Sequence, residues 1–244
     1  MLIFILKRYV NLKLFYKKVN YMRCILCNMP LFLSHHGICS QCVKNLPKFN
    51  KICCQCCLPH SLSTNVCYRC REHKPYWNEL IAVSEYIHPL KNLIHQLKFY
   101  KKVELNLALA RLMFLAWYQR RETEGLAKPD LVTCVPLHHL RYWSRGYNQA
   151  ELLAKPIAKW LNCDFYPHLL SRKKNATDQK KLSLKQRMSN VETLFVCNQN
   201  VANKSVMLID DIVTTGNTIN AISQQLKQCG ATRVQIICLC RTVL

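Results

Sequence analysis

Four cysteine pairs at C-x-x-C spacing crowd the stretch from Cys24 to Cys70: Cys24/Cys27, Cys39/Cys42, Cys53/Cys56 and Cys67/Cys70. Each such pair sets two sulfurs on one side of a tight turn, which is half of a tetrahedral zinc site. The first two knuckles are separated by 11 residues and the last two by 10, so they read as two successive four-cysteine ribbons. Cys54/Cys57 offers a second frame at the third knuckle, and Cys57 stands where such turns usually carry Gly. The other six cysteines, Cys134, Cys163, Cys197, Cys229, Cys238 and Cys240, lie in apolar or helical surroundings and read as small buried hydrophobes.

A disulfide-rich secreted module would use cysteine as densely, but it needs an export signal. Residues 1–21 turn basic at Lys7 and Arg8 after a short apolar run, and they lack a small-residue cleavage site. A reducing cytoplasm and two structural zinc ions follow as the expectation. Residues 1–21 read as a basic extension, disordered or produced by a start placed upstream of Met22. Residues 22–75 are a metal-dependent double ribbon, and 76–244 a larger second domain joined at Pro75 and Trp77.

The chain has 244 residues and half of them are hydrophobic, which excludes wholesale disorder. No apolar run approaches the roughly 20 residues of a membrane-spanning helix. The formal charge is +22. Two zinc ions on eight thiolates would bring it to roughly +18. An excess of that size favours an anionic partner such as nucleic acid, nucleotide or phosphate.

Beyond the ribbons the pattern alternates strand and helix, which implies a mainly parallel sheet. Strands are expected at Leu80–Tyr86, Leu131–Val135, Val206–Ile209 and Val234–Cys240. Helix formers with apolar spacing fill Leu90–Arg120. Asn148 followed by Glu151 caps a helix running to Leu161, with a kink expected at Pro156, and Thr218–Cys229 ends at Gly230. Residues 171–190 are polar and read as a long loop.

The segment Val206–Thr218 carries the most chemistry. A buried strand ends in Asp210 and Asp211, and then Thr214, Thr215, Gly216, Asn217 and Thr218 turn into a helix. Open α/β sheets bind ligands at such strand ends, and the amides of a helix start favour phosphate. Only five Asp occur in the chain, and two stand side by side here. Adjacent like charges need a diol, a cation or basic side chains to offset them. Upstream, Val135-Pro136-Leu137 leads to Arg141, Arg145 and Gly146, where the two guanidiniums can pair with diphosphate oxygens. The Arg172–Arg187 stretch has seven basic residues and one acid. It reads either as a solvated mobile segment or as a lid over an anionic substrate. Lys98 reads as a surface lysine, with the acceptor pocket as its alternative.

Val206–Thr218 resembles the 13-residue phosphoribosyl-pyrophosphate (PRPP) motif of type I phosphoribosyltransferases. From Met22 onward the chain resembles the ComF/GntX family of competence and DNA-utilisation proteins. The likeness rests on the four knuckles, Ile94-His95-Gln96-Leu97-Lys98-Phe99, Arg145-Gly146-Tyr147-Asn148-Gln149, the PRPP motif and Cys238-Leu239-Cys240-Arg241-Thr242. It departs at Cys57 and at Ala176, where the loop often carries Thr. The resemblance implies a type I phosphoribosyltransferase-like fold behind a double zinc ribbon. It implies catalytic roles for Asp210, Asp211 and Arg145, with the two acids on the ribose hydroxyls, and a 5′-phosphate cradle at Thr214–Thr218. A diphosphate loop at Arg141, Arg145 and Gly146 and a lid bearing Lys173, Lys174 and Arg187 follow, with Mg²⁺ arriving on PRPP. Purine-salvage relatives place an Asp base where this chain has Thr214, which argues against a 6-oxopurine acceptor.

Three functions are compatible with these residues. One is a PRPP-using transferase serving DNA uptake or utilisation. The second is a non-catalytic PRPP or nucleotide sensor that grips single-stranded DNA or contacts DNA-uptake proteins, with Phe49, Tyr68, Tyr76 and Trp77 available to stack on bases or to serve as core and hinge residues. The third and weakest is a pyrimidine phosphoribosyltransferase.

Overall fold

The computed structural model describes residues 22–49, 52–60, 64–173 and 194–243. Its centre is a parallel sheet. The strands are β1 (Glu79–Glu85), β2 (Leu131–Cys134), β3 (Asp164–Phe165), β6 (Ser205–Ile209), β7 (Ile212–Val213) and β8 (Arg233–Arg241). Their order is β1-β8-β6-β2-β3, with the short β7 also on β8, and every pairing is parallel. A separate antiparallel pair joins β4 (Leu170–Arg172) to β5 (Phe195–Cys197).

The helices are α1 (Ser40–Lys44), α2 (Tyr68–Glu72), α3 (Leu90–Phe99), α4 (Asn106–Glu124), α5 (His139–Arg145), α6 (Gln149–Leu161) and α7 (Asn217–Gln228). Strand alternation divides the core. Met207, Ile209, Ile237 and Leu239 face α3, α4 and α6, while Val206, Leu208, Val234, Ile236 and Cys238 face α7 and the β4–β5 pair. Among the described residues no helix is long and apolar enough to cross a membrane.

Two expectations change. The Leu90–Arg120 helix is two helices, broken at residues 100–105, where Lys101 takes φ +52° and a 3-10 turn covers Val103–Leu105. Apolar spacing continues across the break, so periodicity alone hides it. The segment expected as a diphosphate loop contains a helix, α5, closed by Gly146 at φ +86°. The α6 helix runs unbroken through Pro156. Asn148 caps it by accepting from the Ala150 amide at 3.0 Å and donates to Val135 O at 3.0 Å, which ties the helix start to the end of β2.

The ribbons repeat one design. Cys24 N donates to Met29 O at 2.8 Å and Cys53 N to Leu58 O at 3.0 Å, and antiparallel bridges Arg23↔Pro30 and Ile52↔Pro59 close the two turns. The first ribbon shares a core with the sheet domain: Cys24, Ile38 and Leu46 pack in one cluster with α4. The buried Arg111 of α4 donates from Nη1 to Ile38 O at 3.1 Å and to His36 O at 3.4 Å. Hydrogen bonds from a charged donor contribute about 1.5–3 kcal/mol each. Arg111→Ala is therefore expected to lower stability by about 2–3 kcal/mol, read as a shifted urea midpoint.

Candidate phosphoribosyl site

β6 delivers two carboxylates to the carboxyl edge of the sheet. Asp210 is partly exposed, and its Oδ1 accepts the Asp211 amide at 2.8 Å. Asp211 turns inward, with 3% exposure, and its carbonyl accepts from the Leu239 and Cys240 amides of β8. Its carboxylate forms an ion pair with Lys98 and accepts from Gln149 Nε2 at 3.3 Å. Gln149 in turn accepts from Arg145 Nη1 through Oε1. Lys98, Asp211, Gln149 and Arg145 thus form one chain of charge and amide.

Lys98 is a correction to its surface reading. From inside α3 its ammonium pairs with Asp211, with 18% of the side chain exposed. Tyr147 Oη donates to Leu97 O and holds that helix end against the Arg145–Gly146 turn. Burial, and next the Asp211 charge, push the Asp210 carboxyl well above its ordinary range. The neighbouring acids are therefore offset unequally: Lys98 pairs directly with Asp211 and acts on Asp210 only as a weaker, lesser influence.

From β7 the chain enters Thr214–Thr218. Thr214, Thr215, Asn217 and Thr218 are exposed, and Thr215 Oγ1 accepts the Asn217 amide at 3.4 Å. Gly216 takes φ +88° and precedes α7. A Cβ there would meet Trp77 Cη2 at 3.4 Å in a backbone conformation that L side chains rarely adopt. Arg141, Arg172 and His138 lie close enough to act on one another. Burial, and then Arg141, lower the Arg172 pKa, while partial burial followed by Arg172, His139 and Arg141 lowers that of His138. The Arg141 and Arg172 guanidiniums repel each other in a way that an anion would relieve, while His138 is held toward its neutral form.

Residues 148–242 match the family described as Phosphoribosyl transferase domain. The chain is 41% identical over 220 residues to DNA utilization protein YhgH of Escherichia coli K12, spanning 90% of this chain and 97% of that protein. It is 34% identical over 222 residues to competence protein F of Haemophilus influenzae, spanning 90% and 96%. The chain belongs to the ComF/GntX family. Competence protein ComFC of Streptococcus pneumoniae is more distant, at 25% identity over 237 residues, 90% of this chain and 100% of that protein.

The motifs that carry the ComF/GntX likeness converge in space. Asp211 and Arg145 are linked through Gln149, with Asp210 and the Thr214–Thr218 loop adjoining Asp211 in the chain. Arg141 is exposed on α5, and Lys173 closes β4, where its amide donates to Leu194 O at 2.8 Å. Lys174 and Arg187 lie outside the described residues. Sequence reasoning placed Arg172 only within the Arg172–Arg187 stretch and had no role for His138 or Gln149. Only their proximity in the fold distinguishes them.

The eight knuckle cysteines gather as Cys24, Cys27, Cys39, Cys42 and as Cys53, Cys56, Cys67, Cys70, the sulfurs of each group lying within 4.8 Å of one another. Cys27 and Cys39 sulfurs are 3.8 Å apart, and those of Cys56 and Cys67 are 3.7 Å apart. Tetrahedral Zn–S bonds of about 2.3 Å require S···S near ~3.8 Å, so both clusters fit zinc. Cys57 stands outside the second cluster: it takes the left-handed φ of +59° and buries its thiol against the sheet core. Asn28 takes the matching position of the first ribbon at φ +61°.

Proposed function

We propose that the chain binds PRPP at the carboxyl edge of its sheet and acts as a phosphoribosyltransferase-like protein in DNA uptake or utilisation. The names of its relatives, a DNA utilization protein and a competence protein, support the biological half of this reading. The chemical half is carried by one observation: a carboxylate pair, part-neutralised by Lys98 and linked through Gln149 to Arg145, adjoins a glycine turn at the start of a helix.

Asp210 takes the ribose hydroxyls, with Asp211 behind it as the anchor for Lys98 and Gln149. Thr214, Thr215, Gly216, Asn217 and Thr218 cradle the 5′-phosphate. Arg141, Arg145 and Gly146 line the diphosphate, with Arg172 and Lys173 on the lid side. Asp210 suits a Mg²⁺ ion that arrives on the diphosphate, since Mg²⁺ sites use one or two carboxylates plus substrate phosphates. When bound, that ion neutralises diphosphate charge. In turnover a nucleophile bonds to the anomeric carbon as the C–O bond to diphosphate breaks, and Arg145 and Arg141 stabilise the departing anion. Zinc in the two cysteine clusters is structural. The test is pyrophosphate release from PRPP and Mg²⁺ with and without nucleobases or single-stranded DNA. Acceptor-dependent release supports the transferase, and binding without turnover supports the sensor.

A DNA-binding role draws on a different observation. Trp143 is 84% exposed on α5, beside exposed Tyr142 and Arg141, and Phe99 and Tyr100 are exposed at the end of α3 beside Lys101 and Lys102. The Arg145 guanidinium lies 5.7 Å from the Phe99 ring centroid. Aromatics interleaved with cations at the mouth of the site suit single-stranded nucleic acid. Trp77, in contrast, is buried and unavailable to stack, and Phe49 packs on the core. Stacking on one base contributes about 1–3 kcal/mol, so Trp143→Ala is expected to weaken oligonucleotide binding by roughly 5- to 150-fold. Affinity for the parent protein is expected to fall steeply with salt. Equal binding by Trp143→Ala in a fluorescence-anisotropy titration would remove this surface.

A further inference from the structure

The second cysteine cluster and the Thr214–Thr218 loop are joined by two struts that leave the same knuckle. Between Cys53 and Cys56 the turn presents the adjacent carbonyls of Gln55 and Cys56. Trp77 Nε1 donates to Gln55 O at 2.6 Å, and the far side of its indole backs Gly216. Arg241 Nε donates to Cys56 O at 3.1 Å, and its Nη1 donates to Val213 O at 3.0 Å, one residue before Thr214. One strut therefore supports the loop where it begins and the other supports its glycine turn. Arg241 is only 3% exposed, and its acceptors are the carbonyls of Cys56, Val213 and Thr242. A buried guanidinium is costly unless countered. Four thiolates around a divalent zinc carry a net charge of about −2, which would counter it through the knuckle.

The first cluster is attached elsewhere. Arg111 docks its ribbon on α4, in the core layer across the sheet from Trp77. The two clusters are alike as metal sites and unlike in what they touch.

The geometry points to a linkage: metal held by Cys53, Cys56, Cys67 and Cys70 positions the phosphate loop through Trp77 and Arg241. Metal occupancy of the second cluster and phosphoribosyl binding then favour each other. This rests on the reading of Thr214–Thr218 as the phosphate cradle, and it makes Trp77 and Arg241 positioning residues. Metal loss loosens the knuckle carbonyls and releases both ends of the loop, while loss at the first cluster leaves the struts in place.

Linkage is reciprocal, which makes it measurable from the metal side. The zinc-loaded protein is titrated with a competing chelator, with and without saturating ribose 5-phosphate. That probe carries the monoester without the diphosphate, which would itself chelate metal. Ribose 5-phosphate is expected to raise the affinity of one of the two zinc ions by about fivefold or more and to leave the other unchanged. Trp77→Phe keeps the ring and removes the indole donor, and Arg241→Lys keeps the charge and removes the fork. Both are expected to hold two zinc ions and to show a reduced increase. If Arg241→Lys does not fold, Trp77→Phe carries the test, with zinc content and melting temperature as its controls. Unchanged affinity of both zinc ions, with ribose 5-phosphate binding seen calorimetrically in the same buffer, overturns the linkage and leaves the site reading intact. Absence of ribose 5-phosphate binding overturns the site reading, and the linkage with it.

Discussion

Chelation of bound zinc is expected to unfold the cysteine-rich part of the chain and to expose apolar surface on α4. Apart from their contacts with the sheet domain, the ribbons have little else to hold them. Their helices, α1 and α2, are five residues each, and the core of the second cluster is Cys53, Cys56, Cys67 and Cys70 with Leu58 and Val66 around them. Elements so short do not persist without tertiary support. Structural zinc contributes an apparent ~10–16 kcal/mol in small finger peptides, against a whole-domain stability of about 5–15 kcal/mol. Cys24, Ile38 and Leu46 are shared with the α4 core, so release of the first ribbon uncovers Leu109 and Met113 neighbours. Metal analysis is expected to return two zinc ions per chain. Chelator is expected to raise dye binding to apolar surface and protease cleavage between Cys24 and Cys70. A protein that melts identically with and without metal would contradict the ribbons.

Asp210→Asn is expected to weaken PRPP binding by roughly 10- to 150-fold while the protein stays folded, the loss of one charge-assisted contact of about 1.5–3 kcal/mol. Its sign on stability runs the other way. Burial and Asp211 raise the Asp210 pKa in the folded state, so the fold favours the protonated acid. That contribution is full below the unfolded pKa and is lost as pH rises through the folded value. The neutral Asn is thus expected to be level or stabilising at neutral pH. Affinity for PRPP with Mg²⁺ is expected to rise with pH as Asp210 ionises, and Asp210→Asn is expected to lack that step.

Asp211→Asn behaves differently, because it leaves the Lys98 ammonium, 18% exposed, without its counter-charge. Breaking a largely buried pair from one side costs about 3 kcal/mol or more. Removing both ends in Lys98→Met/Asp211→Asn is expected to recover much of that loss. Urea denaturation of the parent protein, Asp211→Asn, Lys98→Met and the double variant closes the cycle, and additive losses would show that the two side chains do not interact.

The site divides into parts that the sequence displays and parts that only the fold assembles. Strand, paired acids, hydroxyls and glycine are consecutive from Val206 to Thr218, so local pattern suffices for them. The cysteine clusters are legible for the same reason, since each knuckle is a local turn with fixed spacing. The left-handed Cys57 falls where that turn calls for Gly, which identifies Cys53/Cys56 as the frame that joins the cluster. A single Lys on a helix gives no local sign of which way it faces, and only the packing of α3 beside the end of β6 brings Lys98 to Asp211. Arg111 and Arg241 look like surface cations in the chain. Burial converts both into donors to ribbon carbonyls more than 70 residues away in sequence. Such long-range partners leave no periodic trace, and so the docking of the ribbons was not legible.

Calorimetric titration of the zinc-loaded protein with PRPP and Mg²⁺ tests the phosphoribosyl site most directly. One saturable site per chain is expected, weakened in Asp210→Asn and competed by ribose 5-phosphate. No saturable binding to a folded, zinc-loaded protein, or binding that Asp210→Asn leaves unchanged, would contradict the assignment of this sheet edge.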